Sequence, residues 1–591
     1  MFTRGNHRQA EELLADINRG CILGIDPKHP PHDLSQKPAH WFRSYREAAF
    51  ILDTILKEAR AAILIPSEAR PLYFINFFTV PKKATDGTMS ALRAIRNGSY
   101  KAVGKYAVNE FISDEFWRIT TLPKLTTYAH VLVDKEYLAL RDLSDAFRQL
   151  ILAVSDQKYC GYSIFGQRWL DTRVAYGLSS SAASCQRFVE LICTIFNKVS
   201  ISRRFKRKGA PDIRNCYGQI LAYIDDFMMA AKKGEESVEM EHRFDALLVK
   251  LNVKQSLSKK VRTCTKAVVF GWEWDLAAIP KTVAIPWPKF IELRVLVLSC
   301  IACRIVTMQV LKKLNGKLMH YSQIRREAKA LLWNITQAIA RFCKRHGHRN
   351  NGVALLTPLI IRCLRMWFLC SSAFRTATIA SLLYRPSIDI AAMTDASSHS
   401  GGYMIGDHWA HYRFRADMAR LPICAKEAHA IIVMLHTLKH ELTGRCIHIA
   451  CDNANVVRAV VRRWSKSPML MTFVIELIMC LLKYKITIWI EWISTHRNGF
   501  ADALSRGRIT GYNGFKHLCK IFGLQHRDSP DAIVYPTAQQ LSFPRVTREE
   551  DAREYQRFQR WAASRSPARG PRWWCRDLDG PIRGFALRPK P

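Results

Sequence analysis

Two stretches of this chain place acids where a buried strand should be apolar. One is YLALRDLSDAFRQL, which carries Asp142 and Asp145. The other is QILAYIDDFMMAA, which carries Asp225 and Asp226. Adjacent carboxylates are costly to bury unless something compensates their charge. The Asp-Asp pair sits between two apolar arms, the pattern of a tight β-hairpin that aims both acids at one point. A divalent cation is the natural compensation, and Mg²⁺ prefers carboxylates together with substrate phosphates. A single Asp-Asp pair is commonly a surface turn. The second acid-bearing strand upstream weakens that reading.

The overall charge says what such a centre would act on. The 591 residues include 89 Lys plus Arg against 50 Asp plus Glu, a formal net charge of +39. That balance disfavours an ordinary metabolic enzyme and points to a polyanion, either nucleic acid or an anionic membrane surface. The membrane option is weak, because no run of about 18 apolar residues lacks charges. The most apolar stretch, Met469 to Ile493, is broken by Glu476, Lys483, Lys485 and Glu491. The start, MFTRGNHRQAEELL, has no apolar signal core, so an intracellular chain with reduced thiols is expected. Its 17 cysteines show no framework spacing. Cys300 and Cys303 read as buried thiols in an apolar run, and Cys519 near His517 does not complete a zinc site.

The length fits roughly three to five domains. Residues 1–60 are polar and read as mixed helix and loop, with a turn-rich DPKHPPH. From Leu72 the pattern is β-like through LYFINFFTVPKK, with breaks expected at Pro81 and at Asp86-Gly87. Residues 285–345 are helical in pattern, with Leu311, Leu314, Leu318 and Tyr321 at helical spacing. Near Ser387 short apolar strands begin, followed by a helix from Lys426 and a strand CIHIACDN. Periodicity fades after Arg508, and Arg545 to Pro591 reads as a loosely ordered Arg-rich tail.

That later region holds a second acidic set: Asp395 in MTDASS, Glu427 in AKEAHA, Asp452 in ACDNAN and Asp502 in NGFADALSR. Asp395 and Asp452 each end a short strand, Glu427 opens a helix with Ala430 and Ile431 facing in, and Asp502 begins another helical run. Each acid alone is commonly a cap or a surface residue. Four converging carboxylates would repel one another without cations. Two divalent metals would resolve that and activate water against a phosphodiester.

The first set resembles a reverse transcriptase. YIDDF (Tyr223 to Phe227) is similar to that family's Tyr-x-Asp-Asp hairpin, and DLSDAF (Asp142 to Phe147) to its first palm motif. The resemblance implies Asp142, Asp225 and Asp226 as ligands of two Mg²⁺ (or Mn²⁺) ions. It implies Asp145 and Ala146 as backbone donors to the triphosphate, and Phe147 as a ring that excludes a 2′-hydroxyl. FFTVPKK and LRAIRN resemble the fingers, with Lys82, Lys83 and Arg93 toward the triphosphate. GLSSSAASCQRF resembles the second palm motif, with Gly177 permitting close backbone approach. VVFGWEW resembles the primer-grip hairpin. The lysine near the leaving pyrophosphate is Lys254, Lys259 or Lys260, with Lys259 taken as the site residue. The chain departs from the pattern at Arg141, where an apolar residue is usual, and at Asn97, Ala175 and Cys185.

The second set resembles the acidic tetrad of type 1 ribonuclease H, with His496 in a general-base or product-release role and Trp492 nearest the usual histidine position. Two metals per centre are again implied. The implied fold is α+β and multidomain: a right-hand polymerase followed by an α/β ribonuclease H-like domain. The boundaries are an extension at 1–65, fingers and palm at 66–275, thumb or connection helices at 276–386, the nuclease at 387–507 and a basic tail at 508–591. The implied partners are an RNA template, a DNA primer, an RNA–DNA hybrid and deoxynucleoside triphosphates, with no membrane. The fused order and the NGFADALSR ending most resemble retrotransposons of the tyrosine-recombinase (DIRS) type, with a pararetroviral or hepadnavirus-like polymerase as the second origin. The competing functions are a decayed relic that only binds nucleic acid, and a DNA-templated polymerase with an editing nuclease.

Overall fold

The computed structural model describes residues 18–25, 44–67, 74–83, 89–99, 107–113, 124–201, 220–347 and 352–507, with single positions and short stretches between 517 and 535. The expectations placed on DPKHPPH, on Asp86-Gly87, on the basic segment after Ile201 and on the tail from Arg545 lie outside these residues. So do the side chains of Lys82 and Lys83. The chain forms two compact units, Met1–Pro286 with Ala377–Tyr384, and Trp287–Thr376 with Arg385–Pro591.

In the first unit, strands β1 (Asn76–Lys83) and β2 (Met89–Asn97) pair as an antiparallel ribbon. The expected break at Pro81 does not occur. Pro81 pairs with Leu92, and the irregularity falls one residue later, between Lys82 and Lys83. A two-stranded ribbon is all edge, so a residue without an N–H is tolerated there.

The acid-bearing segments meet in a four-stranded sheet built from β3 (Tyr137–Asp142), β4 (Ile220–Tyr223), β5 (Asp226–Ala231) and β6 (Val261–Cys264), in the order β4-β5-β3-β6. All three pairings are antiparallel. Helices α1 (Ser181–Ile201) and α2 (Gly234–Lys250) pack on it, and Phe227, Met229, Phe244 and Val189 share their core. Burying each such side chain contributes about 1.5–3 kcal/mol, enough to pin the register β3 uses to deliver its acid.

Arg141 is 1% exposed and fully partnered. Its Nε donates to Asp245 Oδ1 at 2.7 Å and its Nη2 to Glu241 Oε2 at 2.8 Å, both acids coming from one face of α2. Breaking such a pair leaves an uncompensated buried charge, a loss of about 3–5 kcal/mol. The departure at Arg141 is therefore matched by its surroundings. Strands β7 (Lys266–Val269) and β8 (Trp272–Asp275) then form the expected hairpin. Phe270 and Gly271 at its turn have φ of 52° and 84°, the two left-handed values a type I′ turn requires.

The second unit begins with helices α3 (Trp287–Cys303), α4 (Met308–Tyr321), α5 (Trp333–His346) and α6 (Pro358–Leu369). Helix α4 buries Leu311, Leu314, Leu318 and Tyr321, as their spacing predicts. Cys300 is buried, whereas Cys303, the last residue of α3, is exposed and departs from the expected buried pair.

A five-stranded sheet follows: β9 (Ile390–Ala396), β10 (Ser400–Ile405), β11 (His408–Arg413), β12 (Cys446–Cys451) and β13 (Thr487–Trp492), in the order β11-β10-β9-β12-β13. The first three strands are antiparallel, and β12 and β13 run parallel to β9. Helices α7 (Ile423–Thr437) and α8 (Pro468–Tyr484) pack together beside it, and α9 (Gly499–Ser505) lies against β9 and β10. A Cβ on Gly402 would sit 2.8 Å from Leu504 Cβ and from Ser505 N, so glycine is what lets α9 approach this closely.

Arg527, Asp531 and Tyr535 dock along β11. Asp531 N donates to Trp409 O at 2.9 Å, and Asp531 Oδ1 lies 2.8 Å from His408 Nδ1. This docked segment falls inside the stretch assigned to the basic tail. Among the described residues no helix is long and apolar enough to cross a membrane, and every described cysteine is free.

Candidate active sites

The first site is a hairpin end against a strand end. Asp142 closes β3 and pairs across the sheet with Asp226, the first residue of β5. Tyr223 pairs with Asp226, leaving Ile224 and Asp225 as a two-residue turn. Ile224 has φ 55°, a left-handed value that a β-branched residue rarely adopts. Three contacts hold the turn there, one of them Cys185 Sγ donating to Ile224 O at 3.4 Å. Gln186 Oε1, from α1, accepts from Ile224 N at 2.9 Å, and Leu143 N donates to Asp225 O at 2.9 Å. Gln186 lies inside the quoted palm motif, and its only sequence signal is a polar amide near an apolar helix face.

Electrostatics here are those of crowded acids. Burial, then Asp225, then Asp142 push the Asp226 carboxyl up to about 7. Burial and Asp142 also raise Asp225. Lys259 Nζ donates to Asp142 Oδ1 at 2.8 Å, while Lys260 is tied to Asp245 at 2.6 Å. Lys254 lends its backbone to Gln149, whose amide bridges Ser144 O and Lys254 O. Of the three lysines proposed, Lys259 is the one whose ammonium meets the acids.

The remaining residues of this site surround the acids. Asp145 takes φ 45° and precedes a short 3₁₀ turn, Ala146–Gln149. Phe147 packs on Tyr176 with ring centroids 4.7 Å apart, and the exposed Arg93 lies 5.9 Å from the centroid of the same Tyr176 ring. Gly177 has φ +102°, and a Cβ there would fall 1.8 Å from Arg96 O. The close approach expected at Gly177 is thus to β2.

The second site is a pocket of about 1180 Å³ whose wall includes Asp395, Glu427, Asp452 and Asp502. All four acids converge, from β9, α7, the residue after β12, and α9. Helix α7 starts at Ile423, after Pro422, so Glu427 sits in its second turn and does not open it. The shift buries Glu427 to 4% exposure. Burial, then Asp395 and Asp452, push its carboxyl up to about 9, and its Oε2 has no hydrogen-bond partner. Asp395 is also raised by burial, and accepts a short hydrogen bond from Ser505 Oγ that works against the rise. Arg506 Nε donates to Asp502 Oδ1 at 2.6 Å.

An orphaned, buried carboxylate oxygen among three other acids is the donor set that a hard divalent cation satisfies. Sequence reasoning missed Ser505, which follows Leu504 in ADALSR. His496 stands exposed on the 3₁₀ turn Thr495–Asn498, where Thr495 is the residue that reaches the pocket wall. Trp492 Nε1 donates to Asp452 O at 2.8 Å, fixing the strand end that carries this acid.

No protein-family model matches the chain, and no curated protein matches it. Solved structures of a foamy viral protease-reverse transcriptase are similar to it. One, the dRH form in complex with double-stranded DNA, is 14% identical at a TM-score of 0.42, over 83% of this chain and 79% of that one. Another, in complex with an RNA/DNA hybrid, is 14% identical at 0.40, over 83% and 61%. A third, in complex with double-stranded DNA, is 15% identical at 0.41, over 84% and 94%. The functional reading rests on the two carboxylate centres rather than on this likeness.

Proposed function

We propose that this chain is an RNA-directed DNA polymerase with ribonuclease H activity. The observation that carries the reading is the presence of two separate carboxylate centres in one strongly basic chain, one on a strained hairpin turn and one in the wall of a pocket. Two Mg²⁺ (or Mn²⁺) ions per centre, held by Asp142, Asp225 and Asp226 and by Asp395, Glu427, Asp452 and Asp502, would supply Lewis acidity to the attacking and leaving oxygens.

The chain's own residues then position the reactants. Backbone N–H groups at Asp145 and Ala146, with the cations of Arg93, Lys82 and Lys83, would bind the triphosphate. Phe147, backed by Tyr176, blocks a 2′-hydroxyl and so selects deoxynucleotides. Lys259 stands where charge builds on the departing pyrophosphate. In the pocket, Ser505 orients Asp395 and Trp492 fixes Asp452, while His496 would take the general-base or product-release role. The substrates are an RNA template with a DNA primer and then the resulting hybrid, whose 2′-hydroxyls and shape mark the strand to cut. The fused order favours a retrotransposon of the tyrosine-recombinase type as its source.

The test uses poly(rA) template, oligo(dT) primer, dTTP and Mg²⁺, with Asp225→Asn as control. The parent should incorporate nucleotide and the variant should not. Equal incorporation by both would sink the polymerase reading.

A further inference from the structure

One side chain beside two of the second pocket's acids has no part in the chemistry proposed there. Strand β12 ends at Cys451, immediately before Asp452, and Cys451 is fully buried. Among the described residues, Glu427, Cys451 and Asp452 are the only three metal-ligating side chains whose donor atoms all lie within 4.8 Å of one another. The Asp142, Asp225 and Asp226 carboxylates form no such group. Glu427 is 4% exposed, and its Oε2 is buried without a hydrogen-bond partner. Sulfur, carboxylate and orphaned oxygen together make a mixed donor set.

Cations divide sharply over such a set. Mg²⁺ takes oxygen ligands and leaves a neutral thiol alone. Zn²⁺ and cations of its softer class take thiolate, with a Zn–S bond of about 2.3 Å, beside carboxylate oxygen at about 2.0–2.2 Å. Around a tetrahedral ion these bonds put neighbouring donors about 3.6 Å apart, so small side-chain rotations within the observed cluster suffice. Binding displaces the thiol proton to solvent and forms one metal–sulfur bond, with no change of oxidation state.

We propose that Cys451, Glu427 and Asp452 form an inhibitory site for thiophilic divalent cations of the zinc and cadmium class. A cation held through sulfur has a different position and coordination from one held by oxygens alone, so it stalls cleavage while synthesis continues. The inhibition rests on the nuclease reading of the pocket; the binding does not.

The experiment uses the full chain and Cd²⁺ as the probe. Cadmium–thiolate absorbance is titrated in the parent, in Cys451→Thr and in Cys451→Ala, and the tightest-binding equivalent is compared. Hybrid cleavage and DNA synthesis are then measured in Mg²⁺ with added Cd²⁺, each variant relative to its own cadmium-free rate. The expected result is loss of the tightest equivalent in both variants. The Cd²⁺ needed to halve cleavage should rise about tenfold or more, and inhibition of synthesis should stay the same. Two variants of different size guard against one failing to fold, and Asp452→Asn, which keeps the thiol, should also weaken the tightest equivalent. Identical cadmium binding in the parent and the Cys451 variants would overturn the site. If the parent cleaves no hybrid but the tightest equivalent disappears with Cys451, the nuclease reading fails and the cation site stands.

Discussion

At the hairpin centre a cation of the chain's own stands against the acids: Lys259 reaches Asp142 at 2.8 Å. In the pocket, Arg506 takes Asp502 at 2.6 Å, and Glu427 is left with an orphaned oxygen deep among Asp395 and Asp452. The hairpin acids are half-open, and Asp226 rises only to about 7, whereas Glu427 rises to about 9. The comparison teaches that the two centres leave their acids uncompensated to different degrees. At the hairpin an ammonium of the chain's own lies against one of the acids. In the pocket Arg506 meets Asp502, and the buried Glu427 Oε2 has no hydrogen-bond partner.

The sharpest way to break this contrast is through the support of the pocket. Ser505→Ala removes the hydroxyl that donates to Asp395. It should lower hybrid cleavage about 10–100-fold, the usual cost of losing a group that orients a metal ligand, and leave synthesis intact. A gel assay of both activities on one preparation checks it, and an unchanged cleavage rate would show that Asp395 needs no such support.

A smaller effect is expected at the built-in cation. Lys259→Met should slow nucleotide incorporation by about tenfold and leave cleavage alone. Lys260→Met should cost stability through Asp245 and spare the rate. Equal rate losses from both would mean that neither lysine acts on the chemistry.

The smallest effect is on stability against pH. Glu427 is raised from 4.5 to about 9 and Asp226 from 3.8 to about 7. An acid whose folded value is raised stabilises the fold below its unfolded value and loses that contribution as pH climbs through the folded one. Metal-free protein should therefore lose melting temperature between about pH 4 and pH 9, over a wider range in the second unit than in the first. Saturating Mg²⁺ should flatten the decline. A melting profile that rises across this range without metal would contradict the proposed burial of the acids.

The sequence alone carried the acids and the local elements that bear them. Apolar arms around Asp225-Asp226 dictate a hairpin, and the spacing of Leu311, Leu314 and Leu318 dictates a helix, because both patterns are local. What stayed hidden depends on partners far away in the chain. Arg141 read as an anomaly until Asp245, 104 positions away, was seen to hold it. The docking of Asp531 on His408 spans 123 positions in a stretch without periodicity. Gln186, Ser505 and Cys451 are ordinary residue types that gain meaning only from what faces them. The positions of Pro81 and Glu427 moved for backbone reasons, an edge ribbon in one case and a helix beginning after Pro422 in the other.

The most direct test takes one RNA–DNA hybrid with a recessed primer and follows both strands. Asp225→Asn and Asp452→Asn are compared with the parent on this same substrate. The account predicts a full crossover: Asp225→Asn stops primer extension and still cuts RNA, while Asp452→Asn extends the primer and leaves the RNA whole. Loss of both activities in either variant, with its melting curve unchanged, would contradict the claim that the chain carries two independent centres.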